Sequence, residues 1–190
     1  MEASTIETEP LAITRENRSI WPVTRKFALF AALTLILHQV IGQFTVFSND
    51  SSATIVSLYE FLIWPILMVF AWGGVSRQRL LEDGVISFGR AFKISAGVVI
   101  LAILISLTYS FIYLLDAYAQ SAKTMQDFFY EIGAAEEEVA QMAKNSGLKY
   151  RWMMVSGTIL MNFFQESFFG LGISLAVAAL LRRKPPLAKT

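Results

Sequence analysis

The chain has 190 residues, of which 55% are hydrophobic and 16% are charged, and its mean hydropathy is +0.51. These values are typical of an integral membrane protein rather than a soluble fold, and the formal net charge of +1 gives no reason to expect a nucleic-acid partner. The absence of cysteine excludes disulfides, thiolate metal sites and thiol redox catalysis, and the single histidine excludes bis-histidine haem ligation within one chain.

The chain begins with a polar, acidic stretch over residues 1–19, which predicts a disordered cytoplasmic tail rather than a cleavable signal peptide. Four apolar segments follow, each long enough to cross a hydrocarbon core that needs about 20 residues; they span residues 27–47, 54–75, 94–115 and 153–181. We therefore expect an all-α integral membrane protein with four transmembrane helices over residues 20–184, followed by a cytoplasmic tail over residues 185–190.

Lysine and arginine near the ends of the spans indicate the orientation, because these residues are retained in the cytoplasm. The SNDSSA turn between spans one and two has none. The basic residues that set the topology flank the other ends: Arg25, Lys26, Arg77, Arg79, Arg90, Lys93, Arg182, Arg183 and Lys184. This pattern predicts a multi-pass protein with both termini in the cytoplasm.

The segment between spans three and four, residues 116–151, predicts two short amphipathic helices on the outer side. The first has an apolar stripe at i, i+3, i+4 and i+7, formed by Met125, Phe128, Phe129 and Ile132. Gly133 then breaks the pattern, and the acidic run 136–138 begins the second helix. The segment is either a docking surface or lid on the outer leaflet, or a connector folded over the mouth of the bundle; loop statistics favour the connector.

Polar side chains also occur inside the spans. At 1.5 Å per residue from the cytoplasmic ends, Glu60 and Glu166 lie about 21–22 Å up and His38 about 16 Å up. Because an ionised carboxylate facing lipid is costly, such groups turn inward and find partners or stay protonated. The candidate intramembrane polar network consists of His38, Gln39, Gln43, Glu60, Asn162, Gln165 and Glu166.

Two interpretations of this network stay open. Glu60, Glu166 and His38 can form a proton or ion site oriented by the amides. Alternatively, the polar groups form interhelical hydrogen bonds that hold the helices together. A histidine with two carboxylates can also bind a metal, but the paired Glu-x-x-His motif of di-iron bundles is absent. On span two, Pro65 frees the carbonyl of Phe61 and predicts a kink beside Glu60.

Small residues recur every four positions on spans three and four. Such ridges allow close approach of helices, within one chain or between protomers, and packing within the chain is the simpler expectation. The residues are Ala102, Ser106 and Ser110 on span three, and Gly170, Ser174 and Ala178 on span four.

The loop GVISFGRAFK, residues 84–93, resembles the GxISFGxAFK signature of a bacterial four-span membrane family catalogued as a domain of unknown function, number 4199 in that series. The stretch MQDFFYEIGAAEEEVAQM is similar to the family's acidic outer segment, and GLGISLAVAALLRRK to its last span. The resemblance implies an integral protein of the bacterial cytoplasmic (inner) membrane and brings no activity, cofactor or catalytic residue. The loop itself is either an apolar patch in the headgroup region or a turn that feeds span three.

The sequence contains no P-loop, dinucleotide fingerprint or G-x-S-x-G elbow, so we expect no cofactor and no catalytic residues. Its size and few polar groups favour a non-enzymatic scaffolding, assembly or accessory subunit. Its expected partners are the lipid bilayer and either another membrane protein or a second copy of the chain. The alternative is a small proton- or cation-coupled transporter or channel that uses Glu60 and Glu166.

Overall fold

The computed structural model describes residues 19–45, 53–131, 133, 135–145 and 148–182. These residues form six helices: α1 (Trp21–Thr45), α2 (Ala53–Phe61), α3 (Ile63–Leu81), α4 (Phe88–Glu131), α5 (Glu136–Asn145) and α6 (Leu148–Leu181). Four helical stretches are long and apolar enough to cross a membrane, with α2 and α3 together forming one of them. The expected all-α membrane fold is confirmed. The tail before Ser19, the turn between spans one and two except Ala53, and the basic residues Arg183 and Lys184 lie outside the described residues.

Helix α4 is the centre of the bundle, because it packs along α1, α3 and α6, while α3 also contacts both α1 and α6. The core between these helices contains many small residues, among them Ala31, Ala71 and Ala102, all fully buried. The backbones approach closely there. A Cβ atom on Gly97 of α4 would lie 2.7 Å from Cγ2 of Thr24 on α1, which is closer than real contacts allow.

Helices α1 and α4 begin, and α3 and α6 end, at the same end of the bundle. We call it the basic end, since the described basic residues of the predicted topology set lie there, and we call the opposite end the distal end. Five of these residues are exposed: Arg25, Lys26, Arg77, Lys93 and Arg182. Arg79 and Arg90 are partly buried, because they hold the connection between α3 and α4.

That connection, residues 82–87, is a packed turn. Asp83 and Gly84 have positive φ angles of 57° and 84°, a conformation that ends α3 and that suits glycine. The amide of Gly84 donates to the carbonyl of Arg79 at 2.9 Å, and Nε of Arg79 donates to the carbonyl of Gly84 at 3.0 Å. Ile86 is 1% exposed and belongs to the core, whereas Phe88 is exposed. The motif of residues 84–93 is therefore a turn that feeds α4 rather than a patch lying flat on the surface.

The second membrane-crossing stretch is interrupted at Leu62, between α2 and α3. The amide of Leu62 bonds to the carbonyl of Tyr59 at 3.1 Å, three residues back instead of four. Pro65 has no N–H to offer the carbonyl of Phe61, so the regular helical pattern cannot continue through this turn. The interruption lies beside Glu60, where the sequence predicts it.

The segment between α4 and α6 differs from the expectation in one respect. The first of the two expected short helices is not separate, because α4 continues without interruption for 44 residues, about 66 Å at 1.5 Å per residue. No proline or glycine occurs between Gly97 and Gly133, and Gly133 has a φ of 75° that no helix continues through. Only α5 is a separate short helix; it packs against α4, and its Val139 is buried.

Candidate functional site

A polar cavity of about 460 Å³ lies in the distal half of the bundle, between α1, the α2–α3 interruption and α6. It brings together six of the seven residues of the predicted polar network, and Gln43 does not line it. The predicted residues that line it are His38, Gln39, Glu60, Asn162, Gln165 and Glu166, and the remaining lining residues are Ser57, Tyr59, Phe61, Ile63 and Trp64.

The cavity exists because α2 is poorly integrated into the bundle. Within the described residues, α2 packs on α3 and makes no extensive contact with α4 or α6. Most of the side chains of α2, Glu60 and Phe61 included, are exposed. Because α2 packs little on α6, space stays open between them and forms the cavity.

His38 and Tyr59 join α2 to α1. Nε2 of His38 lies 3.0 Å from the carbonyl oxygen of Tyr59, and the hydroxyl of Tyr59 donates a short hydrogen bond to the carbonyl of His38. Their rings are stacked with centroids 4.0 Å apart. Each side chain thus bonds the other residue's backbone, which fixes one wall of the cavity.

Gln39 joins α1 to α4 on another side of the cavity. Its amide nitrogen donates to Oγ of Ser106 at 3.0 Å, and Oγ of Ser110 donates to its amide oxygen at 3.0 Å. Two residues of the predicted small-residue ridge on span three are therefore polar partners of α1. The third, Ala102, is fully buried in the core.

The small residues of span four face α4 and the core. A Cβ atom on Gly170 would overlap Cγ1 of Val99, so the backbones of α6 and α4 come as close as a glycine permits. Oγ of Ser174 donates to the carbonyl of Gly170 at 2.9 Å and is thereby satisfied within α6, and Ala178 is fully buried. Both ridges are thus occupied by contacts inside this chain.

The two glutamates are not part of these hydrogen bonds. Glu166 is half-buried and Glu60 is exposed, and neither carboxylate accepts a hydrogen bond from any residue that the structure describes. Among the described residues, no lysine or arginine lines the cavity. The amide and hydroxyl groups hold the helices together, whereas both carboxylates stay open to the cavity. The residues that join the helices are therefore different from the residues that bear the carboxylates.

The aromatic part of the wall went unrecognised in the sequence. Trp64 lies on α3 just past the interruption. The centroid of its ring is 5.2 Å from that of Phe169 on α6, and the two ring planes are tilted by 50°. Ser57 and Glu60 are spaced at i and i+3, which places them on one face of α2. The position of Glu60 could therefore have indicated that the hydroxyl of Ser57 also lines the cavity. No comparable signal marks Trp64, because its position depends on where the helix is interrupted.

The cavity does not have the geometry of a metal site. Among the residues that are described, no three His, Asp or Glu side chains come close enough together to hold a metal ion. His38 is instead engaged with Tyr59, away from a shared coordination centre with the two glutamates. The two carboxylates are placed for separate ion pairs rather than for joint coordination of a metal ion.

No curated protein and no solved structure gives a significant match to the chain. One family model does match, and it covers residues 26–183, from the first turns of α1 to just past the end of α6. The family is described as "Protein of unknown function (DUF4199)". Because the match includes every membrane-crossing stretch and most of the chain, the protein belongs to this family.

Proposed function

We propose that this protein is a small, non-enzymatic membrane transporter or channel for protons or other cations, with Glu60 and Glu166 as its binding groups. The observation that carries the proposal is the pair of carboxylates that face one intramembrane cavity without a basic partner. Ionisable side chains within membrane spans are rare and mark ion or substrate pathways, since burying them without a partner is costly. A cation is the partner that these two carboxylates lack.

The packing of the bundle supports a cavity that is closed towards the basic end. Towards the basic end, the helix turns next to it are closed by core residues such as Leu35, Leu67 and Ile103, which are 0–2% exposed. Glu60, Asn162 and Gln165 are exposed, so the cavity opens to the surroundings of the bundle away from that end. Transport then requires a moving element, and α2 is suited to this because it has few contacts and ends at the interruption at Leu62.

The positions of the basic residues support a location in the bacterial inner membrane with both termini in the cytoplasm. The exposed basic residues of the predicted topology set lie at the basic end, as the retention of positive charge in the cytoplasm favours. The cavity then opens on the outer side, and a proton or cation enters from there.

The test is proton flux in reconstituted liposomes loaded with a pH-sensitive dye. With a pH gradient and a membrane potential imposed, we expect the wild-type protein to acidify the lumen faster than empty liposomes. Glu166→Gln and Glu60→Gln should each slow this flux at least tenfold. The matched control is Asp116→Asn, an exposed carboxylate on α4 that is paired with Gln120 outside the cavity. Wild-type flux no faster than in empty liposomes, with protons, Na⁺ and K⁺ each tested, would contradict the proposal.

A second candidate function, an accessory or assembly subunit, is supported by the length of α4. The helix is about 66 Å long, whereas a hydrocarbon core is about 30 Å thick, so a large part of α4 extends past the bilayer. Phe128 and Tyr130 on this extension are 55% and 61% exposed, and α5 packs beside them. Purification from native membranes in mild detergent, with mass determination of the eluted species, tests this role. A stoichiometric second protein would support it, and a chain that elutes alone or as a homodimer would contradict it.

A further inference from the structure

We propose that the polar cavity binds an organic cation with an aromatic body, such as an aryl ammonium ion. The positive charge pairs with a carboxylate of Glu60 or Glu166, and the ring or the ammonium group lies against Trp64. This inference rests on the proposed function in taking a cation as the ligand, and it adds the chemical class.

The size of the cavity indicates an organic ligand. Its volume of about 460 Å³ falls in the range of roughly 300–1,000 Å³ that is typical of small-molecule sites. A single water takes about 30 Å³, so a bare inorganic ion would leave most of the space to solvent. The described side chains also offer no group of three His, Asp or Glu residues for direct ion coordination. A ligand that fills the space must therefore bring its own bulk.

The charges of the wall select a cation. Glu60 and Glu166 contribute carboxylates, and the other polar lining groups are neutral amides and hydroxyls or the imidazole of His38, which is bonded to Tyr59. An anionic ligand would meet two like charges without a lysine or arginine to offset them. A neutral ligand would leave both carboxylates unpaired or protonated, whereas a cation forms an ion pair with one of them.

The aromatic residues select the body of the ligand. Indole is the best of the aromatic faces for binding a cation within about 6 Å. Trp64 is only partly buried, and its contact with Phe169 at a 50° tilt is not a full stack, so part of its ring stays open to the cavity. Phe61 is 62% exposed beside Glu60 and adds apolar surface next to charge. The amide oxygens of Asn162 and Gln165 can accept hydrogen bonds from N–H groups of a ligand.

The experiment measures binding of phenyltrimethylammonium to the full chain in lipid nanodiscs by isothermal titration calorimetry, with empty nanodiscs subtracting partition into lipid. Two further probes separate the contributions of the charge and the ring of phenyltrimethylammonium. The first, tert-butylbenzene, has the same shape without the charge, and the second, tetramethylammonium, has the charge without the ring. We expect saturable binding of phenyltrimethylammonium, binding at least tenfold weaker for tetramethylammonium, and no saturable binding of tert-butylbenzene.

Variants locate the site. We expect Glu166→Gln to weaken binding at least tenfold, Glu166→Asp to retain most of it, and Trp64→Leu to weaken it about fivefold. The matched controls Asp116→Asn and Trp21→Leu, both at exposed residues that do not line the cavity, should bind like the wild type. Thermal unfolding of each variant shows that the fold is retained. Unchanged affinity in Glu166→Gln, or equal binding of tert-butylbenzene, would overturn the assignment.

The liposome flux of the same preparations separates this inference from the proposed function. Proton flux that depends on Glu166, together with no saturable binding of phenyltrimethylammonium, removes the ligand assignment and leaves the transport role. Saturable binding that depends on Glu166, with no flux of any cation, removes the transport role and supports the ligand assignment.

Discussion

The imidazole of His38 lies face to face on the phenol of Tyr59, with an interplanar angle of 11°, and each side chain bonds the other residue's backbone carbonyl. This pair links α1 to α2, which otherwise packs mainly on α3. It decides where Glu60, the next residue along the chain, stands relative to α1. The position of one carboxylate of the cavity therefore depends on a hydrogen-bonded aromatic pair.

Tyr59→Phe should remove the hydroxyl bond and keep the stack. We expect a loss of about 1 kcal/mol in the free energy of unfolding, the usual size for one hydrogen bond. Tyr59→Ala removes the stack as well and should cost more. Thermal unfolding in detergent measures both, and Tyr130→Phe, at a residue 61% exposed on the extension of α4, is the matched control. Equal stability of wild type and Tyr59→Ala would show that α2 does not depend on this pair.

Gln39→Leu should destabilise the bundle by about 1 kcal/mol, because it removes two hydrogen bonds to α4 that average about 0.6 kcal/mol each in membranes. Ser110→Ala should cost less in this background than in the wild type, since its partner is already gone. A double-mutant cycle of unfolding free energies measures the coupling. Strict additivity would mean that the Gln39–Ser110 bond contributes nothing. Gln43→Leu, one turn further along α1 and outside the cavity, is the control.

Gly170→Ala and Gly172→Ala should have effects of opposite sign. The new methyl group at Gly170 would overlap Val99 and cost about 1–3 kcal/mol through overpacking. Nothing lies within 4 Å of a Cβ atom at Gly172, so the same change there should gain about 0.5–1 kcal/mol from helix propensity. Denaturant unfolding compares them. Val99→Ala should restore part of the stability lost in Gly170→Ala, and failure to do so would place the strain elsewhere.

Arg90→Ala should destabilise the connection between α3 and α4. Nε of Arg90 is 2.6 Å from Oε1 of Glu82, and the two side chains are only 17% and 9% exposed. Losing a charge-assisted bond of this kind costs about 1.5–3 kcal/mol. Lys93→Ala, one turn later and exposed, should change stability little. Thermal unfolding of both variants in detergent is the measurement, and an equal effect would assign the loss to net charge rather than to the ion pair.

Single cysteines introduced at Ser87 and Gln141 should be labelled from opposite sides of the membrane. Both positions are exposed, the first at the basic end and the second on α5 beyond the distal end. The chain has no native cysteine, so no background has to be removed. In intact cells, a membrane-impermeant maleimide should label Gln141→Cys and reach Ser87→Cys only after permeabilisation. The reverse pattern would invert the proposed orientation.

The sequence was informative where periodicity and span length govern the structure. Four apolar segments predicted four crossing stretches, and Pro65 predicted the interruption beside Glu60, because both effects are local. Similar depths also predicted that residues far apart along the chain, such as His38 and Glu166, belong to one band of the membrane, and both line the same cavity.

What the sequence could not provide depends on packing. Gln39 forms hydrogen bonds to α4, whereas the carboxylate of Glu166 stays open to the cavity. This difference depends on which face of each helix meets α4. Trp64 was missed because its place in the wall follows from the course of the chain after Leu62. The expected separate helix near Phe128 merged into α4, since helical propensity without a breaker continues an existing helix more readily than it starts a new one.

The unbroken course of α4 connects the basic end of the bundle mechanically to α5. A close contact with α6, at Val99 and Gly170, lies 11 residues from its start and 32 residues from its end, which corresponds to lengths of about 17 Å and 48 Å. Tilting of α4 about this level would displace its α5 end about three times as far as its start. A change in the ion-paired connection between α3 and α4 that tilts α4 would therefore move the α5 end more than the connection itself.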